Sequence, residues 1–368
     1  MRLENREACK ARLMLALLKG IPRARLIEIV EMAGSPERLF STELERVSKC
    51  LSPDEMSVLV RGCPLDLDEQ LRAARLVESE IVAWNDEDYP SLLKHIECAP
   101  PVIFFRGDIT IASRPAVAIV GSRKCSPSGK YVTEKLARGI AARGFVVVSG
   151  LARGIDSAAP RGALAAGGLT IAVLGCGVDI CYPPENGRLL EEILQKGAVI
   201  SEFLLGTPPL KQNFPLRNRL ISGISQAVVV VEARESSGAL VTAGYALEQG
   251  REVFVVPGDT TFASTVGSNR LLKEGARPIT DAEDVLDELV PGLADKLDPI
   301  PQTELLLEAV SGDEGKVLEC LSCVPTHVDQ ICEQLGSQAP AILSLLLSLE
   351  LKGFVRQEPG NRFVRSSL

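Results

Sequence analysis

The stretch Val117-Ala118-Ile119-Val120-Gly121-Ser122-Arg123-Lys124-Cys125-Ser126-Pro127-Ser128-Gly129-Lys130 decides the fold of this chain. It starts as a continuous apolar run, passes through a short polar loop and enters a segment with signals for a helix start. Ser126 fits the N-cap position, and Pro127 fits the first helical position, where a backbone N–H is not needed. We therefore predict a buried strand that leads through a loop into a helix.

Similar apolar runs alternate with helical stretches on both sides of this unit, from Ile81 to about Leu289. Most of them are apolar throughout, as strands covered on both faces require. The runs are 102–105, 116–120, 145–148, 170–174, 198–200, 227–231 and 252–256. This pattern predicts an α/β fold with a Rossmann-like, doubly wound, mostly parallel sheet in residues 76–290.

The flanking segments have other patterns. Residues 1–75 have helical periodicity interrupted by Gly/Pro turns, which predicts a helical domain. Residues 291–305 combine Pro, Gly and charged residues, which is typical of a linker. Residues 306–368 predict three helices followed by a hairpin, the arrangement of a winged helix.

Composition limits the classes of function. The formal net charge of the 368 residues is −8, so a nucleic-acid partner would have to bind a local basic patch. The amino-terminal residues lack a secretory pattern, and no apolar run reaches the length of a membrane span. We expect a cytoplasmic protein with no membrane contact, whose ten scattered cysteines are reduced.

Three loops at the predicted carboxyl edge of the sheet are rich in glycine: 121–126, 149–156 and 174–177. Free N–H groups at the start of the helix after Ser126, with Arg123 and Lys124 nearby, predict an anion seat. Residues 114–133 contain no acid to oppose it. Glycines that only serve tight turns remain the alternative for any single loop. Neither a dinucleotide-binding G-x-G-x-x-G nor a P-loop motif occurs, so no nucleotide cofactor is expected.

A second basic stretch runs from Lys211 to Ser222 and contains Phe214, Arg217, Asn218 and Arg219. No acidic residue occurs between Phe203 and Ser222. Cations interleaved with an aromatic ring suit single-stranded nucleic acid, because phosphates pair with Lys or Arg while a base stacks on the ring. A core position under a loop is the alternative for Phe214.

Several runs of the central region together resemble the DNA-processing protein A family, also called DprA/Smf. Phe105-Arg106-Gly107-Asp108 also fits the family pattern. The runs that carry the resemblance, in chain order, are 117–123, 149–156, 172–177, 182–186, 213–215, 217–219, 229–233, 237–238 and 246–253. The outer segments resemble the family's helical SAM-like and winged-helix domains.

The resemblance implies binding and protection of incoming single-stranded DNA, loading of the RecA recombinase on it during natural transformation, and homodimerisation through the Rossmann-like domain. It implies no enzymatic step and no cofactor. The single-stranded-DNA-binding residues that the resemblance implies are Gly121, Ser122, Arg123, Lys211, Phe214, Arg217, Asn218 and Arg219. The loop patterns described above add Lys124 and Gly150 to the predicted site. One departure is Pro160, where many members have histidine; a proline there predicts a helix that begins near Ala158 or bends.

Other chemistry finds less support in the sequence. Cys320, Cys323, His327 and Cys332 have a zinc-like spacing, but they overlie the predicted winged helix, and buried thiols explain them without a metal. His95 and His327 are far in sequence from the glycine loops. A nucleotide-processing enzyme on the related lysine-decarboxylase-like scaffold is the alternative reading, and it lacks an evident acid–base pair.

The candidate recognition helix of the winged helix, 341–350, offers no Arg, Lys, Asn or Gln to base edges. This favours a protein-interaction or accessory role for that domain.

Overall fold

The structure is a computed structural model that describes residues 6–18, 20–41, 47–61, 66–290, 312–321, 326–351, 354–358 and 360–365. Its contacts divide the chain into two units, residues 1–296 and 297–368. The linker predicted at 291–305 lies outside the described residues.

The described part of the first 76 residues is helical. Its helices are α1 (Arg6–Leu17), α2 (Arg23–Ala33), α3 (Pro36–Leu39), α4 (Pro53–Arg61) and α5 (Leu67–Leu76). Apolar residues of these helices share one core with Ile81, Val102, Phe104, Val178 and Leu205. The amino-terminal helices therefore pack against one edge of the sheet that follows.

Within the described residues, nine strands form that sheet in the order β1-β2-β6-β5-β4-β3-β7-β8-β9. The strands are β1 (Glu80–Ala83), β2 (Val102–Gly107), β3 (Ala116–Val120), β4 (Val146–Ser149), β5 (Thr170–Val173), β6 (Ala198–Ser201), β7 (Ala227–Val230), β8 (Glu252–Val255) and β9 (Arg277–Pro278). β2 pairs antiparallel with both β1 and β6, and the remaining pairs are parallel. The mostly parallel α/β sheet predicted from the apolar runs is confirmed.

Helices cover both faces of this sheet, which explains why its strands are apolar throughout. They are α6 (Pro127–Ala142), α7 (Ile155–Ala165), α8 (Gly187–Lys196), α9 (Asn213–Ile224), α10 (Gly238–Glu248), α11 (Val266–Lys273) and α12 (Ala282–Leu289). In β3, Ala118 and Val120 belong to the core that includes α9 and α10, whereas Val117 and Ile119 belong to the core under α6 and α7. Successive side chains of one strand thus enter opposite layers.

Of the two alternatives predicted for the helix around Pro160, the start near Ala158 is wrong. The helix α7 begins at Ile155, not near Ala158, and Pro160 lies inside it. Because proline has no backbone N–H, position 160 cannot donate to the carbonyl of Asp156 four residues earlier. Tertiary packing overrides this loss, since Ile155, Ala159 and Ala163 are all fully buried in the core shared with α6.

The second unit contains α13 (Gly312–Glu319), α14 (Val328–Leu335) and α15 (Ala339–Leu351), and a sheet of β10 (Thr326–His327), β11 (Val355–Glu358) and β12 (Arg362–Arg365). β11 and β12 form the antiparallel hairpin. Val317, Ile331, Leu346, Leu349 and Phe363 contribute to its core. The predicted winged helix is confirmed.

Candidate nucleic-acid interface

The order of the strands creates a switch point between β3 and β7. These neighbours are parallel, with Val120 paired to Val230, but the chain leaves β3 toward β4 on one side and leaves β7 toward β8 on the other. The loops that follow them diverge, and a crevice opens between them at the carboxyl edge of the sheet. Ligands of doubly wound proteins bind at such a crevice.

The loop after β3 is fixed by contacts to the neighbouring loops. The Ser122 N–H donates to the carbonyl of Glu232 (2.7 Å), and the Ile155 N–H donates to the carbonyl of Ser122 (3.2 Å). Gly154 has a φ of 77°, and a Cβ on it would lie only 2.2 Å from the Ser122 carbonyl oxygen. Glycine is therefore needed at 154 both for the backbone conformation and for the close approach.

The predicted helix start at Ser126 exists. The anion-binding position at this helix start, however, is occupied by a side chain of the protein. Ser126 is the N-cap and accepts from the Gly129 N–H (2.9 Å), as predicted. The carboxylate of Glu232 accepts from the Ser126 N–H (3.0 Å) and from the Ser126 hydroxyl. The expectation that no acid opposes this positive end is wrong, because Glu232 enters from a segment distant in sequence.

The crevice is a cleft of about 650 Å³ whose lining includes Arg123, Lys211 and Phe214. The guanidinium carbon of Arg123 lies 5.1 Å from the centroid of the half-buried Phe214 ring. The Tyr182 and Phe214 centroids are 5.7 Å apart, with the rings tilted by 39°. Arg123 and Lys211 are exposed, and neither forms an ion pair with any residue that the structure describes. The cleft therefore combines aromatic faces with exposed cations that form no ion pair among the described residues.

Arg217 lies at the floor of this cleft and is only 3% exposed. Its guanidinium donates to the carbonyls of Gly150 (2.8 Å) and Val173. Burial lowers the pKa of Arg217 to about 10, and the nearby Asp156 carboxylate partly opposes this effect. Burial also raises the pKa of Asp156, which Arg217 partly offsets. Arg217 and Asp156 therefore interact with each other, and Arg217 also binds backbone groups inside the protein.

Arg219 points away from the cleft, into a buried ion cluster. Its Nη2 atom lies 2.6 Å from Oε2 of Glu202, and the same oxygen lies 2.6 Å from Nη2 of Arg23 in α2. The Arg219 and Glu202 side chains are 6% and 2% exposed. The cluster ties α9 to the amino-terminal helices.

The structure therefore separates the predicted site residues into two groups. The members that line the cleft are Gly121, Ser122, Arg123, Lys211, Phe214, Arg217 and Asn218. Lys124 is exposed and Gly150 is buried, and neither residue is part of the lining. Arg217, Asn218 and Arg219 lie in α9, and the side chains of Arg217 and Arg219 are buried and engaged by groups of the protein rather than exposed as free cations.

Gly150 has a packing role in this arrangement. A Cβ at position 150 would lie 2.5 Å from Oδ2 of Asp156 and 2.8 Å from Nη2 of Arg217. A side chain there would push these two groups apart. Glycine is thus required below the cleft floor.

The lining residues that sequence reasoning did not place in the site include Tyr182, Arg234 and Ser237. Arg234 is exposed and follows β7, directly across the switch point from Arg123. Its place after a buried apolar run is the same signal that identified Arg123. Tyr182 comes close to Phe214 only through the fold of the segment between β5 and α8, which no local pattern indicates.

The described residues show no grouping of three His, Cys, Asp or Glu side chains that could hold a metal ion. Cys320 and Cys332 are half-buried, and Cys323 lies outside the described residues. No described helix has both the length and the apolar character that a membrane crossing requires.

A doubly wound sheet with a cleft at its switch point, followed by a winged helix, defines a Rossmann-like protein with an appended winged-helix domain. Family models give a more specific result. Residues 80–290 match DNA recombination-mediator protein A, and residues 301–361 match the DprA winged helix domain. The chain belongs to the DNA recombination-mediator protein A family, and the resemblance noted in its sequence is confirmed.

Individual relatives agree with this assignment. The chain is 44% identical over 270 residues to DNA processing protein DprA of Streptococcus pneumoniae, which covers 73% of this chain and 94% of that protein. It is 39% identical over 295 residues to Protein Smf of Escherichia coli, covering 76% of each.

Two solved structures are also similar. The X-ray structure of DprA from Streptococcus pneumoniae matches with a TM-score of 0.65 and 35% identity, over 76% of this chain and 97% of that one. The second is DNA processing protein A from Helicobacter pylori, whose structure addresses a single-stranded DNA binding mode. It matches with a TM-score of 0.53 and 31% identity, over 58% of this chain and 95% of that one.

Proposed function

We propose that this chain binds single-stranded DNA in the cleft between the β3 and β7 loops. Arg123 and Lys211 contact backbone phosphates, and an unpaired base stacks against Phe214. The observation that carries the proposal is the convergence of these three side chains at one cleft, although Arg123 precedes Lys211 by 88 residues in sequence.

The geometry favours an unpaired strand over a duplex. Phe214 is half-buried at the cleft wall with Tyr182 beside it, so a base must enter the cleft to reach either ring. In a duplex the base faces are stacked on each other and unavailable, whereas a single strand exposes them. The Helicobacter pylori relative, whose structure concerns single-stranded DNA binding, supports the same class of ligand.

Gly121, Ser122 and Asn218 complete the proposed contact surface, and Lys124 reaches a phosphate at its rim. Gly150, Arg217 and Arg219 keep the cleft in shape and are not proposed as contacts. The proposed role involves no chemical step. The cleft carboxylate, Asp156, is buried beside Arg217, and none of the described lining residues is a histidine.

Within the same proposal, the chain acts as a homodimer through its Rossmann-like domain, protects incoming DNA in the cytoplasm and loads the RecA recombinase on it during natural transformation. Family membership supports this extension. Sedimentation of the full chain tests the dimer. Recombinase assembly on circular single-stranded DNA, with and without the full chain, tests the loading.

The binding proposal is tested by fluorescence anisotropy with labelled oligo-dT and a duplex of the same length across a salt series. We expect a strong preference for the single strand and an affinity that falls steeply with salt, because phosphate contacts release counterions. Equal affinity for duplex and single strand would contradict the proposal.

A further inference from the structure

The carboxylate of Glu232 lies at the start of α6, the helix that follows β3, and in Rossmann-like nucleotide-binding proteins such a helix start accepts a ligand phosphate. Its Oε2 atom accepts from the Ser126 N–H (3.0 Å), and its Oε1 atom accepts from the Ser126 hydroxyl. A Cβ built on Gly129 would lie 2.3 Å from Oε1, so the carboxylate lies directly against the first turn of α6. The start of a helix attracts anions, and here the anion is part of the chain.

The main chain of Glu232 also holds the loop opposite. Its carbonyl accepts from the Ser122 N–H (2.7 Å), and Ser122 is itself part of the cleft lining. Glu232 is only 6% exposed. This one residue thus joins the loops after β3 and β7 through both its backbone and its side chain.

This placement leaves two kinds of phosphate-binding group beside and in the cleft in different states. The backbone seat at the start of α6 is filled, while the exposed cations Arg123 and Lys211 remain open to a ligand. Exposed cations bind a single phosphate weakly, since water and salt screen the pair. A continuous strand adds several such contacts together, whereas a mononucleotide has one phosphate group.

We propose that Glu232 is a specificity-determining residue that keeps free phosphate and mononucleotides from binding at the helix start beside the cleft, so that the cleft favours a polymeric strand. The proposal rests on the single-strand binding proposed above and deepens it. Glu232 acts as an internal substitute for a ligand phosphate: it satisfies the helix start and repels a competing anion from the same position.

The test compares wild type with Glu232→Ala and Glu232→Gln, using calorimetric titration with inorganic phosphate and with dTMP. The Ala variant leaves space at the start of α6, and we expect it to bind both probes at least tenfold more tightly than wild type. The Gln variant fills most of the space without the charge, and we expect a gain of about threefold because only the repulsion is removed.

Competition between formate and phosphate provides a second measurement, because a purely structural role of Glu232 would not produce such competition. We expect formate to raise the melting temperature of Glu232→Ala and to compete with phosphate there, because it replaces the missing carboxylate. The matched control is Glu235→Ala, which removes the same charge from an acid whose side chain is 77% exposed. It should gain no affinity for phosphate or dTMP.

Unchanged phosphate and dTMP affinities in both Glu232 variants would overturn the proposal. Should the Ala variant fail to fold, the Gln variant alone decides, since its amide can still accept from Ser126. These titrations contain no DNA, so they are independent of single-strand binding. If wild type failed to bind oligo-dT while the variants gained phosphate affinity, the proposed function would fail and the role of Glu232 in excluding phosphate would stand.

Discussion

The guanidinium carbon of Arg123 lies 5.1 Å from the centroid of the Phe214 ring, although Arg123 lies in the loop after β3 and Phe214 lies in the first turn of α9. A cation above an aromatic face is itself favourable. The same arrangement places a cation suited to phosphate and a ring suited to base stacking no farther apart than the length of one nucleotide. The proposed binding cleft therefore presents groups suited to both chemical parts of a nucleotide.

Phe214→Ala should weaken oligo-dT binding by roughly 1–3 kcal/mol, the typical loss of one base–aromatic stacking contact. Anisotropy at fixed salt measures this loss. The matched control is Phe262→Ala, because Phe262 is 61% exposed and is not part of the cleft lining. Equal losses in the two variants would show that Phe214 does not stack with a base.

Arg123→Ala and Lys211→Ala should each flatten the dependence of log K on log salt concentration by about 0.7, as expected for one phosphate contact with a single strand. Titrations at several salt concentrations measure the slope. Arg188→Ala serves as the control, since this side chain is 94% exposed and pairs with Glu192. A slope unchanged from wild type in both cleft variants would remove these residues from the phosphate contacts.

Arg219→Ala should destabilise the protein by up to about 3 kcal/mol, because it leaves the buried Glu202 with Arg23 as its remaining cationic partner in the cluster. Urea denaturation measures this change. The salt slope of oligo-dT binding should stay at the wild-type value, because Arg219 does not line the cleft.

For comparison with Arg219→Ala, Arg234→Ala removes an exposed cation of the cleft lining and should leave stability within about 0.5 kcal/mol of wild type. A flatter salt slope in Arg219→Ala, with normal stability, would restore Arg219 as a DNA contact.

Burial of Cys176 gives an expected pH dependence. Burial raises its pKa from 9.0 to about 11, so the folded state keeps the proton at a pH where the unfolded state loses it. This contribution is complete below pH 9 and is lost as the pH rises to about 11, so stability should fall over that range. The loss is roughly 2–3 kcal/mol, since a tenfold change in an acid constant corresponds to about 1.4 kcal/mol.

Urea denaturation of wild type and Cys176→Ala between pH 8 and about 11 checks this, and the variant should lose less stability than wild type. The raised pKa of Tyr89 acts in both proteins and cancels in the comparison. At pH 8, iodoacetamide should label the exposed Cys50 and Cys98 before Cys176, because the thiolate is the reactive form. If the free energy of unfolding fell equally with pH in the two proteins, Cys176 would not titrate in this range.

The sequence predicted the features whose signals are local. Ser126 and Pro127 stand at the start of α6 as expected, and β3 has the predicted bounds. A buried strand, an N-cap and a proline at the first helical position are each determined by a few adjacent residues. The position of Arg123 at the cleft follows from them, because the loop after a parallel strand lies at the carboxyl edge of the sheet.

The features that were missed depend on contacts between distant segments. Glu232 is 106 residues from Ser126, so the absence of acids in residues 114–133 gave no warning that a carboxylate fills the helix start. Likewise, a basic composition between Lys211 and Arg219 does not reveal which side chains point inward. That depends on where α9 begins and on partners such as Glu202 and the Gly150 carbonyl.

The burial of Arg217 also limits which substitutions homologous proteins can accept at this position of α9. One guanidinium nitrogen of Arg217 reaches the carbonyls of both Gly150 and Val173, while Nε reaches Asn218. A lysine ammonium has no such planar fork of donors and holds its hydration more strongly. We therefore expect homologous proteins to exchange Arg and Lys readily at position 211, in contact with water, while position 217 stays arginine.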